Sequence, residues 1–115
     1  ESSEISFTLY WQSETKMATD LTVFVHLLDS LGNIVAQADG PPSNGYWPTS
    51  AWEPGSLVSD HHNLVHGIDT SRETYTIVIG LYDPLSGLRV PAYNSAGVEW
   101  DNWSVPIHTF GMSAQ

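Results

Sequence analysis

The chain has 115 residues, enough for one domain with a core of its own. It contains no cysteine, which excludes disulfides and thiolate chemistry. Three basic residues stand against thirteen acidic ones, and the formal net charge is -10. Because such a charge repels phosphate backbones and anionic lipid surfaces, we expect no nucleic-acid partner.

The sequence opens without an initiator methionine, a basic leader or an apolar targeting segment. We therefore expect residues 1–115 to be a single domain excised from a larger protein. Its apolar runs are strand-sized, far below the ~20 residues that a membrane-spanning helix needs. We expect this fragment to be soluble.

The first half of the chain contains two clear strand patterns. Residues 5–11 alternate between apolar and polar, which predicts a strand with one buried face. Residues 21–28 are rich in β-branched and aromatic residues and apolar on both faces from Val23 to Val25, as in the centre of a sheet. A turn at residues 29–33 should close a hairpin with residues 34–38.

The second half begins with an irregular stretch, residues 41–55, in which four prolines and two glycines break any strand ladder. Residues 57–66 predict a further strand, and residues 74–82 give the strongest strand pattern in the chain. A turn follows at residues 83–87. Shorter extended pieces are predicted at residues 88–90 and 98–100, and a closing edge strand at residues 103–110.

Seven or eight short strands without a convincing helix indicate an all-β fold, an antiparallel β-sandwich. Tyr75 lies a few residues after Asp69 and starts a strand, the position of the tyrosine corner in immunoglobulin-like domains. We therefore favour an immunoglobulin-like topology over a jelly roll.

Five histidines are the first candidates for chemistry. In a strand, His62 and His66 lie roughly 13 Å apart, too far to share a metal ion, so we expect solvated histidines and no transition-metal site. His26 interrupts an apolar strand, and we expect a structural histidine whose partner lies in residues 41–60, because buried polar groups need partners. Catalysis by His26 with an acidic partner is the weaker alternative, since no nucleophile motif is present. We expect no enzymatic activity.

Aspartates are frequent near predicted strand ends and turns, where they normally serve turn geometry. Such carboxylates can also converge on calcium, although no calcium-loop spacing is present. Calcium remains open as a structural ion, and no other cofactor is expected. The aspartates concerned are Asp29, Asp39, Asp60, Asp83 and Asp101.

Aromatic residues provide the candidate ligand-binding positions. Exposed rings beside carboxylates and amides are suited to sugar rings, whereas buried tryptophans only plug the ends of a sandwich. We expect the structural role for Trp11 and Trp52 and leave both roles open for Trp47, Trp100 and Trp103. The candidate ligand-binding residues are Tyr46, Trp47, Trp52, Trp100, Trp103 and His26.

Several motifs occur in a fixed order along the chain: residues 23–29 with Gly32, residues 36–42, residues 48–55, Asp60, and residues 80–84 with Gly87 and Arg89. Together they resemble an extracytoplasmic β-sandwich module found at the C-terminal ends of large bacterial membrane proteins. These include glycosyltransferase-like proteins of the dolichyl-phosphate-mannose mannosyltransferase type. The resemblance implies a location at the bacterial cell surface and a parent protein embedded in the membrane.

Two functions follow as hypotheses. The first is a non-catalytic accessory module of a larger cell-envelope protein, with residues 46–55 as the surface that contacts another domain of the same polypeptide. The alternative is a carbohydrate-binding module that uses loop tryptophans, with calcium as a structural ion.

Overall fold

The computed structural model describes residues 3–111. It is an all-β structure with two antiparallel sheets, one of two strands in the order β1-β4 and one of four strands in the order β3-β2-β5-β6. The strands are β1 (Ser3–Gln12), β2 (Thr22–Leu28), β3 (Ile34–Gln37), β4 (Leu57–His66), β5 (Thr74–Tyr82) and β6 (Val105–Gly111).

The small sheet forms because β1 and β4 both alternate strictly between inward and outward residues. In β1 the inward side chains are half-buried and pack on the core, which confirms the predicted buried face: Ile5, Phe7, Leu9 and Trp11. In β4 every second residue is buried, from Val58 to His66. The two strands pair along their whole length, with Leu9 opposite Asp60.

The large sheet supplies most of the core. As predicted, β2 is central and buried on both faces, and it pairs with β3 on one side and β5 on the other. Its odd-numbered residues meet those of β5 and Leu64 of β4 in one cluster. The buried members are Val23, Val25, Leu27, Leu64, Tyr75, Ile77 and Ile79.

The predicted turn between β2 and β3 is present. Asp29 accepts hydrogen bonds from the backbone N–H groups of Leu31 and Asn33 at 2.9 and 2.8 Å. Gly32 takes a positive φ of 88°, a conformation that glycine adopts without steric cost. The pairing register of β2 with β3 shifts between Leu27 and Leu28, as at a β-bulge.

The outer face of the large sheet is also covered. Phe24 is buried and lies opposite Gly80 in the β2–β5 register. The Arg89 guanidinium lies over the Phe24 ring, 4.2 Å from its centre. A Cβ atom built on Gly80 would also meet the backbone oxygen of Trp103. The segment that follows β5, residues 83–104, therefore packs on this face.

Two predicted extended pieces are shorter than expected. Residues 88–90 and 98–100 contribute one isolated bridge each, Tyr82 to Arg89 and Tyr93 to Glu99. The described residues thus form six strands. Within residues 41–55 the chain makes two short 3₁₀ turns, Pro42–Gly45 and Thr49–Ala51.

The small sheet has two strands, so each of them has one edge without a partner among the described strands. Among the described strands β1 pairs only with β4, and between Ile5 and Gln12 it has no charged residue. Residues 3–111 contain no helix with the length and apolar character of a membrane span.

Gly80 offers a test of the packing on the outer face. In Gly80→Ala the added Cβ would lie 2.3 Å from the Phe24 ring and 2.9 Å from the Trp103 oxygen. We expect the free energy of unfolding to fall by about 1–3 kcal/mol, the usual cost of overpacking. Urea denaturation measures this. Gly40→Ala is the matched control, because no atom lies within 4 Å of its built Cβ, and an equal loss in both variants would contradict the packing.

Candidate functional site

The first candidate surface is the aromatic loop, residues 41–55, and buried contacts hold it in place. Trp52 is only 2% exposed, stacks on Trp11 with 6.2 Å between ring centres, and donates its indole N–H to the Trp47 oxygen at 2.8 Å. The hydroxyl of Thr49, fully buried, donates to the Thr19 oxygen at 2.6 Å and accepts from the Leu21 N–H at 3.0 Å. Trp52 is thus buried, as expected for a structural role.

The start of the same loop is held by β4. The backbone N–H of Ser43 donates to Asp60 Oδ1 at 2.8 Å, and the Ser43 hydroxyl donates to the Ser59 oxygen. Ser43 and Asn44 both have left-handed backbone angles, with φ of 52° and 55°. These contacts compensate for the strain of that conformation.

This anchored loop presents aromatic side chains at the surface. Tyr46 is 83% exposed and Trp47 54% exposed. Trp47 and Trp52 line a cavity of about 370 Å³ together with Leu57 and Val58 of β4. Of its two tryptophans, Trp52 is buried and Trp47 is exposed.

The second candidate surface is a groove formed by residues between 87 and 103, here called the Arg89 groove. It has a volume of about 770 Å³. Trp100 and Trp103 are half-buried in it, and the Trp103 indole N–H donates to Glu99 Oε2 at 2.7 Å. The lining residues are Gly87, Leu88, Arg89, Glu99, Trp100, Asp101, Asn102 and Trp103.

The groove contains an unusual backbone. Asn102 and Trp103 have positive φ angles of 56° and 50°; for a bulky residue such as tryptophan this is a genuine outlier. A backbone hydrogen bond of 3.1 Å from Trp103 N–H to the Trp100 oxygen helps to hold it. So does Arg89, whose Nη1 donates to the Asn102 oxygen at 2.8 Å.

The structure therefore divides the six predicted residues among three places. Trp47 and Trp52 share the cleft of the aromatic loop, and Tyr46 is exposed on the same loop. Trp100 and Trp103 share the Arg89 groove, and no residue lines both cavities. His26 belongs to neither lining.

His26 is buried on the outer face of the large sheet, 7% exposed, beside the Phe24 ring. The partner predicted in residues 41–60 is wrong. The nearest carboxylate is that of Asp39, 3.3 Å from His26 Nε2, because the chain leaving β3 runs alongside β2. Burial lowers the pKa of His26; Asp39 opposes this change and the Arg89 charge adds to it.

Asp60 differs most from its predicted role. It does not lie at a strand end but inside β4, 1% exposed. It accepts hydrogen bonds from the Trp11 indole N–H at 2.9 Å and the Ser43 N–H at 2.8 Å, and His62 Nε2 lies 2.6 Å away. Burial alone would raise the pKa of Asp60, but the hydrogen bonds from His62, Ser43 and Trp11 together outweigh it and lower that pKa.

The remaining histidines of β4 follow the strand alternation. His61 points outward, where Thr8 Oγ1 lies 3.0 Å from its Nδ1. His62 and His66 point inward and are buried, so the expectation of solvated histidines is wrong for these two. Within residues 3–111 no three or more His, Asp or Glu side chains converge in a way that could hold a metal ion. Two carboxylate–histidine pairs are present. In the pair of Asp60 with His62 both residues are buried, whereas in the pair of Asp39 with His26 only the histidine is.

Two residues of the groove carried no sign of a site in the sequence. Arg89 appeared only as part of a motif, and Glu99 was one acidic residue among thirteen. The scarcity of cations could have pointed to Arg89, because it is one of only three basic residues in the chain. Arg89 also follows a turn after which the chain returns to the sheet.

None of the protein-family models, curated proteins and solved structures compared with this chain matches it.

The lowered pKa of His26 predicts how stability changes with pH. As the pH falls through 6.5, its ordinary pKa, the unfolded chain binds a proton that the folded chain does not, so the free energy of unfolding decreases. The decrease ends once the pH reaches the pKa of His26 in the folded state. The lowered pKa of Asp60 acts in a separate window, where stability is lost below about pH 4.

Urea denaturation between pH 8 and pH 5 measures the His26 effect. We expect His26→Gln to flatten the pH dependence, and His61→Gln, at an exposed histidine of β4, to leave it unchanged. An unaltered slope in His26→Gln would show that other groups cause the acid sensitivity.

Proposed function

We propose that this domain is a non-catalytic interaction module, an accessory part of a larger extracytoplasmic protein, and that the aromatic loop is its contact surface. One observation carries the proposal: the loop is fixed by buried contacts at Ser43, Thr49 and Trp52, yet it exposes Tyr46 and Trp47. Aromatic residues on a rigid support are the usual anchors of protein interfaces. The natural partner is another domain of the same polypeptide.

The setting at the bacterial cell surface, in a membrane-embedded parent, rests on the motif resemblance. An immunoglobulin-like topology is part of the same proposal. It is supported by Tyr75, whose hydroxyl lies 3.5 Å from the Asp69 oxygen, six residues upstream, as in a tyrosine corner.

Carbohydrate binding is the second candidate function. It is favoured by three tryptophans that are exposed or half-buried at the surface, Trp47, Trp100 and Trp103. Indole faces offer apolar area for sugar rings while neighbouring polar groups take the hydroxyls. Calcium, held by turn aspartates, would serve as a structural ion in either function.

The two roles within the loop predict different stability effects. Trp52→Ala removes a buried aromatic side chain, and we expect the free energy of unfolding to fall by about 3–5 kcal/mol. Tyr46→Ala removes an exposed ring and should change it by less than about 0.5 kcal/mol. Urea denaturation of both variants tests this division, and a large loss in Tyr46→Ala would assign that ring to the core.

The proposed function itself is tested by photo-crosslinking. A benzoyl-phenylalanine placed at position 46 or 47 of the full-length protein, in cells that export it, should crosslink to a defined segment of the same polypeptide. Position 85 is the control, because Leu85 is 94% exposed in a turn outside the loop. Crosslinks of equal yield from all three positions, or none from 46 and 47, would contradict the loop as contact surface.

A further inference from the structure

We propose that the Arg89 groove binds an uncharged oligosaccharide. The inference rests on the second candidate function above, which it narrows to one surface and one class of ligand. It does not depend on the aromatic loop, because no residue lines both cavities.

Arg89 has hydrogen-bonding capacity that its neighbours do not use. The other two cations have a carboxylate close by, Lys16 with Glu53 at 3.1 Å and Arg72 with Asp69 at 3.2 Å. Among residues 3–111 no carboxylate lies within 4.0 Å of Arg89. Its guanidinium is fixed by Phe24 and the Asn102 oxygen, and a guanidinium has five N–H donors. Arg89 is therefore a positioned donor with capacity left for a ligand.

Trp103 lines the groove with a strained backbone. A tryptophan with φ of 50° costs conformational energy, and such strain persists where surrounding contacts hold a side chain in a required place. Here Glu99 fixes the indole from one side. The Trp103 backbone oxygen lies close to Gly80 of β5, where a built Cβ atom would be 2.9 Å from it. The half-buried indole thus lines the groove in a defined orientation.

The side chains around Arg89 and Trp103 combine hydrogen-bond acceptors, hydrogen-bond donors and apolar aromatic faces. Glu99 and Asp101 supply acceptors, Arg89 and Asn102 supply donors, and Trp100 and Trp103 supply apolar faces. Sugar hydroxyls both donate and accept, and the faces of sugar rings are apolar, so this combination matches a saccharide.

Charge decides between neutral and acidic ligands. Two carboxylates and the Arg89 guanidinium line the groove, so its formal charge is -1, and the chain has a net charge of -10. The net negative charge of the groove and of the chain disfavours a phosphate or a uronic acid. We therefore expect neutral sugars to bind and acidic ones to be rejected.

The experiment is a titration of the ¹⁵N-labelled domain, followed by two-dimensional NMR. The probes are cellotetraose, mannotetraose and chitotriose, with trigalacturonic acid as the acidic comparison. We expect at least one neutral probe to shift the backbone amides of residues 87–89 and 99–104, with a dissociation constant of millimolar or below. Trigalacturonic acid should produce no shift.

Three variants locate the binding. Trp103→Gly removes the indole and also relieves the positive φ, so the variant should fold, and we expect at least tenfold weaker binding. Glu99→Gln keeps the size of the side chain and should weaken binding by about threefold or more. Trp47→Ala, in the other cavity, is the matched aromatic control and should bind as the parent does.

Several results would overturn the inference. These are no groove shifts with any neutral probe at 10 mM, binding of trigalacturonic acid alone, or shifts confined to the aromatic loop and abolished by Trp47→Ala. Neither of the first two results would count against the aromatic loop as a protein contact surface. That hypothesis is tested by crosslinks from positions 46 and 47, which are measured without sugar. Failure of the groove and failure of the contact surface are thus separate outcomes.

Discussion

The buried carboxylate of Asp60 is the interaction on which most of this structure depends. It lies in β4 and connects three parts of the chain: β1 through the Trp11 indole, the aromatic loop through the Ser43 N–H, and its own strand through His62. A buried charge is tolerated only where hydrogen bonds compensate for lost hydration. Asp60 has three such contacts, which is why an acidic residue can occupy the inward side of a strand.

The same contacts determine where the aromatic loop lies. The two carboxylate oxygens of Asp60 accept different hydrogen bonds, one from the Trp11 indole N–H and one from the Ser43 backbone N–H. Trp11 in turn stacks on Trp52. A chain of contacts therefore runs from the small sheet to the far end of the loop. Tyr46 and Trp47 can be exposed without loss of order because the residues on either side of them are held by this chain.

The periodic parts of the fold could be predicted from the sequence. Alternation in β1, the doubly buried β2 and the turn at Asp29 depend on local residue patterns, and those patterns are visible in one dimension. The strand that contains Asp60 was predicted, but the burial of its carboxylate was not, because the donors that make burial possible, Trp11 and Ser43, are distant in the sequence. His26 was correctly expected to be buried, yet its partner depended on the path that the chain takes after β3.

The candidate sites were predictable by residue type but not by arrangement. All five tryptophans were singled out, but which of them share a surface follows from how residues 83–104 fold back over Phe24. The left-handed angle of Trp103 has no sequence signature at all. Nor does the position of Arg89, whose partners are a ring in β2 and a backbone oxygen 13 residues away.

The unpaired edge of β1 has a consequence for how molecules of this domain behave toward one another. An edge without charge or proline is a template for strand pairing between copies, and here the nearest protection is the net charge of the whole chain. That repulsion is screened within about 10 Å at 0.1 M salt. We therefore expect copies of the domain to associate more readily at high ionic strength than in dilute buffer.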